Sequence, residues 1–252
     1  MNLKDRVAIV TGGGTGIGRA VAEHFGKAGA RVVVNYRESR EAAEEVAGAI
    51  QAAGGTAVAI AADVSKQSGA KELMEETVRQ FGRIDCLVNN AGWSTRIPHH
   101  QLDDLTDEIW ERTMNTNLRG AFYCVRAAVP HLKKQPGASI VNVASVAALM
   151  GQGSSLAYAA SKGGMVTMTK SLARALAPGI RVNAVLPGFV RTRFAGWTEE
   201  AFAAAEKITP LKHLATGADV AEAVIFFAAH AESTTGETIV VDGGSSTLGP
   251  TY

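Results

Sequence analysis

The chain has 252 residues, 46% of them apolar and 19% charged, which suits one large α/β domain with a substantial core. Lys+Arg 25 against Asp+Glu 24 leaves a formal net charge of +1, so the chain does not look built to neutralise a phosphate backbone, and nucleic-acid binding is not expected. No stretch of eighteen apolar residues could span a membrane, the first apolar run is broken too soon for a signal peptide, and a cytoplasmic location is expected.

The first predicted strand, 7–11, runs into Thr11-Gly12-Gly13-Gly14-Thr15-Gly16-Ile17-Gly18 and then a helix over 17–28. Glycines let a backbone turn tightly and approach a pyrophosphate, while a helix N-terminus offers free N–H groups and the positive end of its dipole. Gly12, Thr15, Gly16, Ile17 and Gly18 are therefore candidate cofactor contacts. The spacing G-x-G-x-x-G is absent. A P-loop fails too, because Arg19-Ala20 stands where Lys-Ser/Thr is needed. A dinucleotide is the better ligand.

A strand over 31–35 leads to Tyr36 and Arg37, followed by a helix over 40–53. A strand over 56–61 precedes Asp63-Val64, followed by a helix over 66–81. The strand 85–88 ends in Asn89-Asn90-Ala91-Gly92, and a long helix over 107–133 carries Asn117. Ser145 follows the strand 139–143, and Tyr158 and Lys162 open a helix over 158–177. The strand 181–185 leads to Pro187-Gly188. The segment 189–216 then breaks the rhythm, with Trp197, Pro210 and mixed helical signals where a short crossover would suffice. Long excursions at the carboxyl end of a strand are where substrate sites usually sit. A helix over 219–229 and a strand over 238–241 close the series.

These apolar strands, with little alternation, and the helices between them predict a seven-stranded, mostly parallel sheet with helices on both faces. The expected fold is a doubly wound single domain over 1–252, undivided by linker, repeat or low-complexity tract.

The loop at 11–18, spaced Thr-Gly-x-x-x-Gly-x-Gly, resembles that of the short-chain dehydrogenase/reductase family, a Rossmann-type fold. The later motifs follow in the family's order. The resemblance implies that Asp63-Val64 holds an adenine ring and that Asn90, Ala91 and Gly92 lie beside the cofactor. Pro187, Gly188, Val190 and Thr192 would fix the nicotinamide carboxamide. It also implies a catalytic set of Asn117, Ser145, Tyr158 and Lys162, with Tyr158 as general acid/base. Lys162 would also bind the nicotinamide ribose, and Asn117 would hold a water that links the lysine to solvent. The nearest general pattern is that of 3-oxoacyl-carrier-protein reductases and related sugar or xenobiotic carbonyl reductases. Lys133-Lys134 keeps the basic character of a carrier-protein contact, whereas Ala177-Pro178-Gly179 does not.

Tyr158 and Lys162, four apart, share one helix face. A free phenol titrates near about 10, and a neighbouring ammonium with an oxidised nicotinamide is expected to lower it. Ser145 would steady the developing charge on the substrate oxygen. NAD-dependent relatives carry an acid at the end of the second strand; here it is Tyr36, with Arg37 and then Arg40 available to a 2′-phosphate. Glu38 is expected to point away if the strand end is extended. NADP(H) is therefore preferred and NAD(H) possible.

No metal is expected, and His99-His100 reads as a solvated pair. Cys86 and Cys124 read as buried structural thiols. Substrate walls are placed at 93–96, 147–153 and 188–197; Arg96, His99 and Arg191 could meet an acidic substrate, but read first as free, solvated cations. The expected partners are a small-molecule carbonyl or alcohol and, from the resemblance, three further copies in a homotetramer. The alternatives are an NAD-dependent sugar or alcohol dehydrogenase and a non-catalytic dinucleotide sensor; the sensor should have lost Tyr158 or Lys162.

Overall fold

The computed structural model describes residues 3–249, so the ends of the predicted domain, 1–2 and 250–252, lie outside the described residues. Seven strands form one sheet: β1 Val7–Val10, β2 Arg31–Tyr36, β3 Thr56–Ala61, β4 Cys86–Asn89, β5 Ala138–Val143, β6 Ile180–Pro187 and β7 Thr238–Val241. Their order is β3-β2-β1-β4-β5-β6-β7, and every pairing is parallel. The winding reverses between β1 and β4, which opens a crevice at the carboxyl ends of the strands.

The helices are α1 Gly16–Lys27, α2 Arg40–Ala52, α3 Gln67–Phe81, α4 Asp107–Met114, α5 Gly120–Leu132, α6 Ala147–Met150, α7 Leu156–Leu176, α8 Glu199–Ile208, α9 Gly217–Ile225 and α10 Ser245–Leu248. Adjacent strand residues serve opposite faces, which is why the strands read as unbroken apolar runs. Val10 and Val34 pack with Val21, Phe25, Val46 and Val224 beneath α1, α2 and α9. Their neighbours Ile9 and Val33 pack with Leu73, Val125 and Leu132 beneath α3 and α5. Each such side chain, fully buried, contributes about 1.5–3 kcal/mol.

Several boundaries differ from expectation. The predicted helix 107–133 is divided into α4 and α5 by a π-type turn, Asn115–Arg119. The predicted helix 219–229 ends in a second such turn, Phe226–His230. It begins earlier than expected because Thr216 and Asp219 form a reciprocal capping box. Within 189–216 lie a tight turn at Phe194–Gly196 and the whole of α8, capped by Thr198. The short α6 and α10 had no counterpart in the sequence reading. No described helix is long and apolar enough to cross a membrane.

Candidate active site

The predicted phosphate loop lies between β1 and α1. Gly12 and Gly16 have φ of +61° and +53°, conformations that L side chains rarely adopt. The loop is tied down from both sides. Thr11 Oγ1 donates to the Val88 carbonyl at 3.2 Å and accepts from the N–H groups of Asn90 and Ala91 at 2.9 and 3.0 Å. Asn90 Nδ2 donates to the carbonyls of Thr11 and Gly12 at 2.9 and 3.1 Å. From β2, Asn35 Oδ1 accepts from Gly12 N–H at 3.3 Å, while its Nδ2 donates to the Ile60 and Ala62 carbonyls.

Helix α1 is pressed so tightly onto this loop that a Cβ on Gly18 would lie 2.2 Å from the Gly12 oxygen. At the start of α1, Thr15 makes no side-chain cap and no acid stands in the first turn. The free N–H groups and dipole end fit a pyrophosphate. Ile17 packs against the core behind them, and the Thr192 methyl faces Gly16 across the cleft, 3.4 Å from where its Cβ would be. The sequence reading missed Thr11 and Asn35 as loop supports. Asn35, a polar residue within an apolar parallel strand, was a legible signal.

At the predicted adenosine end, the chain bends directly after Tyr36 instead of staying extended. The condition for Glu38 to point away is therefore not met, and Glu38 pairs with Arg37 at 2.7 Å. Arg40 pairs with Glu44 at 2.7 Å, so both candidate cations have a carboxylate neighbour. Asp63 Oδ1 accepts from Ser65 N–H and Oγ–H at 3.1 and 2.6 Å, which fixes the turn after β3, and Val64 is buried beside it.

The predicted catalytic residues come together at the carboxyl ends of β5 and β6. Ser145 Oγ lies 3.4 Å from the Pro187 carbonyl and accepts from Ala147 N–H at 3.2 Å. Ser155 caps α7 by accepting from Tyr158 N–H, which sets where the helix starts. Lys162 is buried, its Nζ donating to the Val143 carbonyl at 2.7 Å and lying 5.7 Å from the Tyr158 ring centroid.

Burial pushes the Tyr158 phenol up to about 12, only partly offset by the Ser145 hydroxyl. Burial pushes the Lys162 ammonium down to about 8. The lowering expected from the lysine together with an oxidised nicotinamide is not supplied by the protein's own groups, in which desolvation dominates and the lysine's N–H is directed at a backbone carbonyl.

Asn117 is fully buried, and both amide N–H donors and one acceptor position of Oδ1 are engaged. Oδ1 accepts from Trp93 N–H at 2.7 Å, and Nδ2 donates to the Trp93 carbonyl and Ser161 Oγ at 3.1 and 3.0 Å. Ser161 Oγ in turn donates to the Tyr158 carbonyl at 2.7 Å. Asn117 thus joins the wall after β4 to the helix of Tyr158. Gly188 backs onto Asp242, where its Cβ would meet that residue's Cβ at 2.6 Å, and Val190 bridges to Ala215.

The segment after β6 supplies aromatic rings. Phe194 packs on Tyr158 with centroids 5.6 Å apart, and Trp197 packs on Phe189 at 5.0 Å. Of the cations expected to be free, Arg191 is instead paired with Glu199 and Glu206. His99 is partly buried, with Nε2 unpartnered, and only His100 is exposed as expected. Among the described residues no group of three or more potential ligands could hold a metal. Cys86 and Cys124 are buried and free, with thiols pushed up by burial to about 11 and about 12.

A family model described as enoyl-(acyl carrier protein) reductase matches residues 12–246. A 3-oxoacyl-[acyl-carrier-protein] reductase, FabG, of Staphylococcus epidermidis is 38% identical over 244 residues, covering 95% of this chain and 98% of that one. A 3beta-hydroxysteroid dehydrogenase of Eggerthella lenta is 40% identical over 252 residues, covering 96% and 94%. The crystal structure of 3-ketoacyl-(acyl-carrier-protein) reductase from Brucella melitensis, complexed with NADH, is 36% identical. It superposes with a TM-score of 0.88 over 97% of this chain and 99% of that one.

Proposed function

From the premise that this chain belongs to the short-chain dehydrogenase/reductase family, and is an oxidoreductase acting on CH–OH/C=O groups, we propose an NADP(H)-dependent carbonyl reductase that reversibly reduces a ketone or 3-oxoacyl-type carbonyl, with Tyr158 as general acid/base. The observation that carries this reading is the convergence of Ser145, Tyr158 and buried Lys162 beside a glycine loop fit for a pyrophosphate.

The nicotinamide would supply or accept hydride at the carbonyl carbon. Ser145 Oγ–H donates to the substrate oxygen and steadies the charge that develops there. Tyr158 gives its proton to that oxygen, and Lys162 restores the tyrosine's proton while holding the nicotinamide ribose. Asn117 keeps Trp93 and α7 in register and, in the family's manner, holds a relay water. Gly12, Thr15, Gly16, Ile17 and Gly18 hold the pyrophosphate. Asp63 and Val64 would border the adenine ring, with Asn90, Ala91 and Gly92 beside the cofactor. Pro187, Gly188, Val190 and Thr192 border the nicotinamide. The segment 189–216 is the substrate wall.

The 2′-phosphate preference rests on Tyr36 standing where a repelling acid would be, and on Arg37. The Arg37–Glu38 pair favours NAD(H) as a second reading. It is a partly exposed ion pair, however, worth about 0–1 kcal/mol, which a bidentate phosphate contact outweighs. A homotetramer goes with this reading, supported by the half-exposed Phe122 on α5 and the partly exposed edge strand β7, and a cytoplasmic location is part of the same proposal.

The test is NADPH oxidation with a panel of β-ketoacyl thioesters, ketoses and aryl ketones. Tyr158→Phe should lower kcat by at least about 100-fold while NADPH affinity stays nearly unchanged. Surviving turnover in that variant removes Tyr158 from its role. A higher kcat/KM with NADH than with NADPH overturns the cofactor preference.

A further inference from the structure

Both tryptophans of the cleft carry an arginine on their ring face. The Arg112 guanidinium lies 4.2 Å from the Trp93 centroid, and that of Arg96 lies 5.0 Å from the Trp197 centroid. Among the described residues neither guanidinium has a carboxylate within ion-pairing distance, whereas Arg19, Arg37, Arg40, Arg83 and Arg191 all do.

Position separates the two. Arg112 belongs to α4, behind Trp93. Arg96 lies in the loop after β4, and that loop is fastened at three points to the catalytic side. Trp93 is held at both backbone groups by Asn117. Ser94 Oγ meets Ser154 Oγ at 2.6 Å, and Ile97 N–H donates to the Ser154 carbonyl at 2.7 Å. Ser154 precedes the cap of Tyr158's helix, so the Arg96 backbone is fixed at the entrance to that helix. Its head reaches the opposite lip, Trp197, whose segment also sends Phe194 onto Tyr158.

Such a guanidinium is fixed in place but not neutralised. Stacked on an indole it occupies a ring face, and the in-plane N–H donors remain free to take a planar or tetrahedral anion in bidentate fashion. The exposed side chain also adds positive potential at the mouth, which draws anions in. Arg191, on the same lip, has already been taken by Glu199 and Glu206.

We propose that Arg96, seated on Trp197, is a specificity-determining residue that binds a carboxylate or phosphate carried by the carbonyl substrate on the arm leading out of the cleft. This rests on the carbonyl-reductase reading above and narrows its substrate class to an oxo compound with an anionic arm. The rings of Phe194, Phe189 and Trp197 would take the apolar stretch between carbonyl and anion.

Two matched pairs test it, each read as NADPH oxidation. The carboxylate pair is 5-oxohexanoate and its methyl ester. The phosphate pair is acetoacetyl-4′-phosphopantetheine and acetoacetyl-pantetheine. The wild-type protein should prefer the anionic member of at least one pair, and which pair shows the preference identifies the source of the anion. Arg96→Ala should lower kcat/KM for that member about tenfold or more, chiefly through KM. The neutral member should change by less than about twofold, and this doubles as the control for folding. Arg96→Lys should recover part of the loss, and added salt should erode the wild-type preference.

Equal losses on both members of a pair, or no anionic preference in the wild-type protein, overturn the Arg96 assignment and leave the reductase reading standing. Turnover of none of the four compounds, or of the wider panel above, overturns the reductase reading and this inference with it.

Discussion

A lysine sealed at the end of β5 is a poor place for a charge, and among the described residues the Lys162 ammonium donates its one hydrogen bond to the Val143 carbonyl. Its ammonium is pushed from 10.5 down to about 8. Between those values the unfolded lysine holds a proton that the folded one has lost, so stability rises with pH across that window. Tyr158 acts in the opposite sense from pH 10 to about 12, because the unfolded phenol ionises first, and stability falls as pH rises there. Replacing the charge with a similar apolar volume should therefore stabilise the fold while ending turnover. Lys162→Met is expected to gain on the order of 1–3 kcal/mol at pH 7, a Tm rise of a few degrees. That gain should shrink as the pH approaches 10. Thermal melts at pH 7 and 9.5 check it, and a gain indifferent to pH would show that the buried charge is not its source. The same pair has a chemical consequence: the protein's own groups favour protonated Tyr158, the form that carbonyl reduction requires.

At the scale of elements, legibility followed the range of the forces involved. Each strand was readable because burial on both faces demands an unbroken β-branched run such as Val32-Val33-Val34. The glycine loop was readable because backbone strain and close approach leave few choices. Gly18→Ala should show this directly, since its Cβ would lie 2.2 Å from the Gly12 oxygen and 2.5 Å from Asn90 Nδ2. The expected result is a cost of about 1–3 kcal/mol and a weakened NADPH affinity. By contrast Gly48→Ala, open on all sides in α2, should stabilise by about 0.5–1 kcal/mol. Equilibrium unfolding and NADPH titration of the two variants separate the effects.

What was not readable came from distant parts of the chain. The π-type turn at Asn115–Arg119 occurs where Asn117 is tied to Trp93, a residue of the loop after β4, and no local periodicity announces it. The bend that folds Glu38 onto Arg37 lies in a short polar connection with no pattern to read. The direction of the Tyr158 shift depends on burial, which only the assembled fold creates. The set Ser145, Tyr158 and Lys162 was legible because its order and spacing along the chain could be matched, although only the fold brings β5 and α7 together.

Across the whole molecule, the two ends of the sheet are built for different purposes. The candidate site occupies the carboxyl ends of β1, β4, β5 and β6, whereas the amino end holds an electrostatic clamp remote from it. Asp85 is 1% exposed. It accepts from Val7 N–H at 2.9 Å and from Arg83 at 2.8 and 2.6 Å, with Arg6 at 3.6 Å. Arg6 also donates to the Pro136 carbonyl, just before β5. This cluster fastens β1 to β4, the pair at which the winding reverses and the crevice opens. Removing the carboxylate leaves a buried N–H unpaired and two cations without their acceptor. Because both arginines reach solvent, the cost should sit below that of a fully buried pair. Asp85→Ala is expected to lose about 2–4 kcal/mol, a Tm fall of roughly 5–10 °C, while kcat/KM at low temperature stays within about twofold. Melting curves and NADPH-oxidation rates on the same preparation check this. A variant that keeps its Tm but loses activity would show that the clamp shapes the crevice instead of merely holding the sheet together.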